Sequence, residues 1–163
     1  MQRTRSLIAT HHARRTVAGT LVALALMLSG CQSGTVALTP PTPADTAVRD
    51  ACTDLADALP SRLLKLRRER TEPQSALTAA WSDSADAIIT LRCGVHSADS
   101  ATAEILNVND VDWIPVARTS GTSFITFGRV AFVQVDVPLA LRPEASYLVP
   151  LAPAIIAALP VTN

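Results

Sequence analysis

Three cysteines (Cys31, Cys52, Cys93) and three histidines (His11, His12, His96) are the residues of this chain best suited to covalent or acid–base chemistry. Cys93 precedes His96 by three positions, the closest approach in sequence to a nucleophile–base pair. Such a pair needs a free thiol beside the imidazole. The alternation Ile89, Leu91, Cys93 instead turns this sulfur toward an apolar face, with Cys52 as a candidate disulfide partner. A hydrolytic triad has no better footing, because no Gly-x-Ser-x-Gly turn presents a serine. Asp54 with Asp57, and Asp83 with Asp86, are carboxylates three apart. Neither pair has the further ligands a cation requires, and solvated helix and loop faces carry such pairs routinely. Glycines are too scattered for a phosphate loop. The residues therefore nominate no catalytic group, no metal site and no cofactor.

Cys31 carries a different chemistry. It closes the tetrapeptide Leu28-Ser29-Gly30-Cys31, in which Ser29 and Gly30 leave the backbone open to a peptidase and the thiol is the strongest nucleophile nearby. Met1 to Arg15 holds Arg3, Arg5, Arg14 and Arg15 with no acid, and Thr16 to Leu28 is an apolar run. Basic segment, short apolar segment and small-residue cleavage site are the parts of an export signal. The run is shorter than the roughly 20 apolar residues that span a bilayer. The tetrapeptide resembles the bacterial lipobox, so Cys31 is expected to carry a thioether-linked diacylglyceryl group and palmitate-class acyl chains. Two chains suffice for stable anchoring. Arg14-Arg15 leaves the export route open between the general secretory and twin-arginine pathways.

Cleavage before Cys31 removes His11, His12 and four of the 14 basic residues but none of the 14 acidic ones. What remains is one domain's worth of chain, mildly acidic, with Lys65 as its sole lysine. Phosphate neutralisation needs a basic face, so nucleic acid is not an expected partner. The expected partners are the membrane, through the lipid, and a protein or cell-wall component on the extracytoplasmic face of the cell membrane.

Residues 31–45 read as a flexible Pro/Thr/Ser tether, on the order of 20 Å end to end, and residues 46–163 as a single domain. Asp45 or Thr46 caps a helix whose face is Val48, Cys52, Leu55 and Leu59, with Asp50, Asp54 and Asp57 opposite and Pro60 as its stop. Leu63, Leu64 and Leu66 suggest a short strand or helical turn, followed by Arg67-Arg68-Glu69-Arg70 as a solvated loop. Strands are expected over 86–93, 104–108, 111–116, 122–127 and 130–137, with Asn109-Asp110 as a tight hairpin turn. Leu148, Leu151, Ile155 and Leu159 give residues 144–159 a helical period that Pro150 and Pro153 must kink or split. The expected class is α+β: an antiparallel sheet of about four to six strands, packed by an N-terminal helix and a kinked C-terminal helix. Cys52 and Cys93 both face its core, and export places them in an oxidising compartment, so they are expected to form a disulfide.

Four separated motifs then carry a resemblance: Ala79-Ala80-Trp81-Ser82-Asp83, Leu91-Arg92-Cys93-Gly94-Val95, Val108 to Trp113, and Phe127-Gly128-Arg129. In this order, over residues 48 to 160, the chain resembles an actinobacterial lipoprotein family known as domain of unknown function 3515. It departs from the family pattern at Ser82-Asp83 and Asp110, where members carry Gly-Asp and Gly. The resemblance implies a lipoprotein address and no established activity. Within these motifs and their surroundings, Trp81, Asp83, Arg92, Asp112, Trp113 and Arg129 are the candidate binding residues. Tryptophan can stack on a sugar or anchor a partner, and arginine with aspartate gives bidentate recognition. In a chain this poor in aromatics the core is the favoured place for both tryptophans, and Arg129 is suited to tying strands together. The expected function is a non-enzymatic binding or accessory module of the cell envelope. A small exported hydrolase using carboxylate and arginine chemistry is the alternative.

Overall fold

A computed structural model describes residues 34–43, 45–98 and 103–162. Cys31 and the segment before it, on which the export and lipidation expectations rest, lie outside the described residues.

The first helix, α1 (Thr46–Ala58), begins where its cap dictates: an Asp45 carboxylate oxygen accepts from the Val48 backbone N–H at 2.8 Å. This satisfies one of the donors a helix N-terminus leaves open. Cys52, Leu55 and, just past the end, Leu59 are buried, with Val48 partly so. The spacing of four, three and four has become the face that meets the sheet.

Nine strands form one mixed sheet: β1 (Thr35–Ala37), β2 (Arg62–Leu63), β3 (Leu66–Glu72), β4 (Thr78–Ser82), β5 (Ile88–Val95), β6 (Leu106–Val108), β7 (Val111–Arg118), β8 (Gly121–Thr126) and β9 (Phe132–Pro138). The spatial order is β1-β3-β4-β5-β9-β8-β7-β6, with β2 folded back on β3. All pairings are antiparallel except β1 on β3. The α+β class stands, but the sheet is larger than the four to six strands expected, for three reasons. The supposed tether contributes β1, and Leu38 just after it is buried. The charged run 67–70 is not a loop but most of β3. The Ala-rich segment 78–82, given no strand in advance, is β4.

Register places the core. Trp81 lies opposite Ile89, Leu91 opposite Val135, and Val135 opposite Phe124, so these side chains share one face. Both helices pack there, and Trp81, Trp113, Ile89 and Val135 are wholly inaccessible to solvent. The Cys52–Cys93 disulfide crosses the same layer, with Cα atoms 5.6 Å apart. At the β6–β7 turn, Asn109 and Asp110 have φ of 48° and 63°, the left-handed pair that a two-residue hairpin requires. The C-terminal stretch is divided by its prolines. Short 3₁₀ turns at Glu144–Tyr147 and Val149–Leu151 lead into α2 (Ala152–Ala158), with Pro150 and Pro153 in first-turn positions where a missing N–H costs nothing.

Candidate functional site

The helix-free face of the sheet is built from the other half of the same alternation. On β5 and β9, the residues between the buried Ile89, Leu91, Cys93 and Val133, Val135, Val137 are Thr90, Arg92, Gln134 and Asp136. Register brings them together: Thr90 pairs with Asp136, Arg92 with Gln134, and Ser123 on β8 with Asp136 from the other side. Directly opposed side chains on one sheet face lie within contact range, so the cluster follows from the pairing itself.

Asp136 is its hub. Oδ2 accepts from Arg92 Nη1 at 2.7 Å, from Thr90 Oγ1 at 3.3 Å and from Gln134 Nε2 at 3.1 Å. Oδ1 accepts from Ser123 Oγ at 2.5 Å and from Gln134 Nε2 at 2.8 Å. Arg118 Nε in turn reaches Ser123 Oγ at 3.4 Å. Ser123 is only 3% exposed, whereas Arg92 and Asp136 keep about a third of their side-chain surface in water. Beside the hub lies a depression of about 250 Å³, bounded by Arg118, Ser120, Ser123 and Asp136 with Ile88 and Pro138 as apolar walls. Arg92 on the carboxylate, with Arg118 one step out through Ser123, leaves the cluster cationic. Each oxygen of that carboxylate accepts at least two hydrogen bonds. The arrangement suits recognition of a polar or anionic group by fixed donors.

The six residues nominated from sequence do not converge. Arg92 belongs to the cluster; the others are dispersed. Trp81 is in the core, its Nε1 donating to the Pro60 carbonyl at 2.9 Å and its ring 5.8 Å from the Arg68 guanidinium. Arg68 also donates to the Ala56 and Leu59 carbonyls at the end of α1. Burial lowers its pKa and the nearby Asp57 partly opposes that shift. Trp113 is equally buried, under the opposite wing of the sheet. Both tryptophans therefore fill the core and offer no ring to a ligand. Asp83 makes an exposed ion pair with Lys65 at 3.4 Å. Asp112 accepts from Asn107 Nδ2 at 2.7 Å across the β6–β7 hairpin. Arg129, 6% exposed, donates to the Leu159 and Asp110 carbonyls, each at 2.8 Å, and so ties strands rather than a ligand. Cys93, bridged to Cys52, is not the free thiol that a pair with His96 would need.

Sequence reasoning missed Thr90, Ser123, Gln134, Asp136 and Arg118. For Thr90, Gln134 and Asp136 the signal was present: polar residues at every second position of β5 and β9, whose alternate positions are Ile, Leu, Cys and Val. Ser123 and Arg118 sit in strands without that alternation.

The family model described as "Protein of unknown function (DUF3515)" matches residues 12–163. No curated protein and no solved structure matches the chain.

Proposed function

The chain belongs to the family of proteins of unknown function DUF3515, and from that premise we propose that it is an exported lipoprotein, anchored through Cys31 at the extracytoplasmic face of the cell membrane, which binds an envelope protein or cell-wall component through its helix-free sheet face. The family assignment carries no activity, so the reading rests on the chain's own residues. For the address, it is supported by the basic and apolar segments ahead of Leu28-Ser29-Gly30-Cys31 and by the Cys52–Cys93 bridge, a bond that persists in oxidising compartments. For binding, the observation that carries it is the Arg92–Asp136–Ser123 cluster. Fixed donors, partly open to solvent, stand on the helix-free face beside Arg118, for which no carboxylate lies in ion-pair range among the described residues.

Cys31→Ala should abolish acyl-chain labelling and move the protein out of the lipoprotein-processed membrane pool. Membrane retention of a correctly cut, lipid-free protein would overturn the anchor. The binding face is tested separately. A photoreactive residue in place of Arg118 should give discrete cross-linked species in intact cells, whereas one in place of Ile156, exposed on the helix side of the domain, should not. Equal yields from both positions would sink the assignment of the partner to this face.

A further inference from the structure

The charge of the domain is unevenly placed. Of the ten lysines and arginines after residue 30, five (Arg62, Lys65, Arg67, Arg68 and Arg70) fall in the eleven residues of the β2–β3 hairpin, against two acids, Glu69 and Glu72. The rest of the domain is strongly acidic. Arg68 is committed to α1 and Trp81, but Arg62, Lys65, Arg67 and Arg70 are all exposed. Arg62 and Arg67 stand opposite each other in the register, an adjacency of like charges that does not favour the hairpin. The acids in reach are Asp83, which pairs with Lys65, and Glu69, which accepts from Ser82. Exposed pairs such as that with Lys65 contribute little and are readily exchanged.

The tip of the hairpin is also unusual. Leu64 is 55% exposed and has φ of 53°, in a two-residue turn between the paired Leu63 and Leu66. A positive φ at the first residue of such a turn is ordinarily met by glycine. A branched apolar side chain there is unfavourable in its backbone conformation and in its hydration. Folding gives no reason for it.

Position supplies one. β1 runs parallel to β3 with Thr35 opposite Arg70, so the N-terminal end of β1 is directed toward the end of β3 that carries the hairpin turn. Four peptide steps separate Cys31 from Thr35, a reach of no more than about 14 Å. The distance along β3 from Arg70 back to the turn at Lys65 is about 16 Å. A lipid on Cys31 would keep Thr35 within that reach of its attachment point, a length comparable to the span of β3 from Arg70 to the turn.

We infer that the β2–β3 hairpin is a membrane-docking element: Arg62, Lys65 and Arg67 engage anionic phospholipid headgroups while Leu64 enters the interface. This rests on the proposed lipid anchor for its biological setting, but the surface chemistry is testable without the lipid. Docking would fix the orientation of the domain, with the sheet edge at the membrane.

The test uses residues 33–163, which form a compact unit of their own. They are titrated with vesicles of phosphatidylglycerol and phosphatidylcholine in equal parts, and with phosphatidylcholine alone. Binding should be confined to the anionic vesicles and should weaken as salt is raised. Each basic residue at such a surface is worth about fivefold, so Arg62→Gln, Lys65→Gln and Arg67→Gln together should weaken binding about a hundredfold. Arg49→Gln with Arg142→Gln, which also removes basic residues but away from the hairpin, should leave it nearly unchanged. Leu64→Gly should lower vesicle affinity without lowering the thermal midpoint, because glycine relieves the turn. Absence of any preference for anionic vesicles would overturn the inference, as would equal losses from the hairpin set and the Arg49/Arg142 pair. Full affinity in Leu64→Gly would overturn the insertion of that side chain. Failure of acyl labelling at Cys31, by contrast, would remove the anchor and leave these vesicle results standing.

Discussion

Removing both cysteines of the bridge, as Cys52→Ala with Cys93→Ala, should cost the domain about 4 kcal/mol on the chain-entropy relation for a loop of this length. The sequence separation closed by the bond is 41 residues. Within that loop lie the second half of α1, strands β2, β3 and β4 and most of β5, so the crosslink restricts the unfolded chain across all of these. Both cysteines are essentially inaccessible in the core, 0% and 1% exposed, which shields the bond from reductant while the domain is folded. Domains of this size are stable by about 5–15 kcal/mol, so the loss is a large share of the total. The thermal midpoint should fall by about 15 °C. Alanine avoids leaving buried hydroxyls, and the midpoints in urea of residues 33–163, with and without the bridge, provide the measurement. Intact mass should show the wild-type protein lighter by two hydrogens than its reduced form. A double variant that unfolds within a degree or two of wild type would show that the bond constrains little.

The parts of this bridge were legible because each depended on local pattern. Cys52 falls on the 3.6-residue period of α1, and Cys93 on the two-residue alternation of β5. The same holds for the Asp45 cap, the Asn109-Asp110 turn and the buried valines of β9. What could not be read locally were the strands made by pairing. β1 has three residues with no apolar alternation, and it exists because its backbone pairs with β3. In β3, Arg67, Arg70 and Glu72 are exposed, and a strand near the sheet edge that wets much of its surface has the composition of a loop. β4 is mostly small residues, which pattern rules rank poorly as strand formers, yet it is sandwiched between β3 and β5 and nearly all buried.

The candidate site failed to be legible for a related reason. Residues were nominated by chemical type, and large aromatics and charged groups in motifs drew attention whichever way they pointed. Both tryptophans turned inward, Asp83 and Asp112 pair with side chains elsewhere, and only Arg92 joined the cluster. Asp136 becomes a hub only when β8 and β5 flank β9, an order that no local pattern specifies. Nomination by face, taking the polar partners of an apolar alternation, would have found Thr90, Arg92, Gln134 and Asp136 together. It would also have passed over Arg129.

Arg129 is where the second large effect is expected. Its guanidinium is buried in the segment between β8 and β9, and its two terminal nitrogens donate to carbonyls of distant segments: Leu159 after α2, and Asp110 in the β6–β7 turn. Backbone bonds continue the same junction, with Val130 N–H donating to the Pro160 carbonyl and Thr162 N–H to the Gly128 carbonyl. No carboxylate lies in ion-pair range of Arg129 among the described residues, so its charge is met by backbone dipoles. Hydrogen bonds from a charged donor are worth about 1.5–3 kcal/mol each, and truncation leaves both carbonyls without their partner. Arg129→Met, which keeps much of the apolar stem, should therefore destabilise by about 3–4 kcal/mol. Arg129→Lys should recover little of this, because a single ammonium on a flexible stem does not reproduce a planar fork spanning two segments. Hydrogen exchange should show where the loss falls: the amides of Val130 and Thr162 should lose protection first, while those of β4 and β5 follow only global unfolding. If Arg129→Lys were as stable as wild type, or if protection at Val130 and Thr162 survived in Arg129→Met, the fork would not be what holds the C-terminal segment to the sheet.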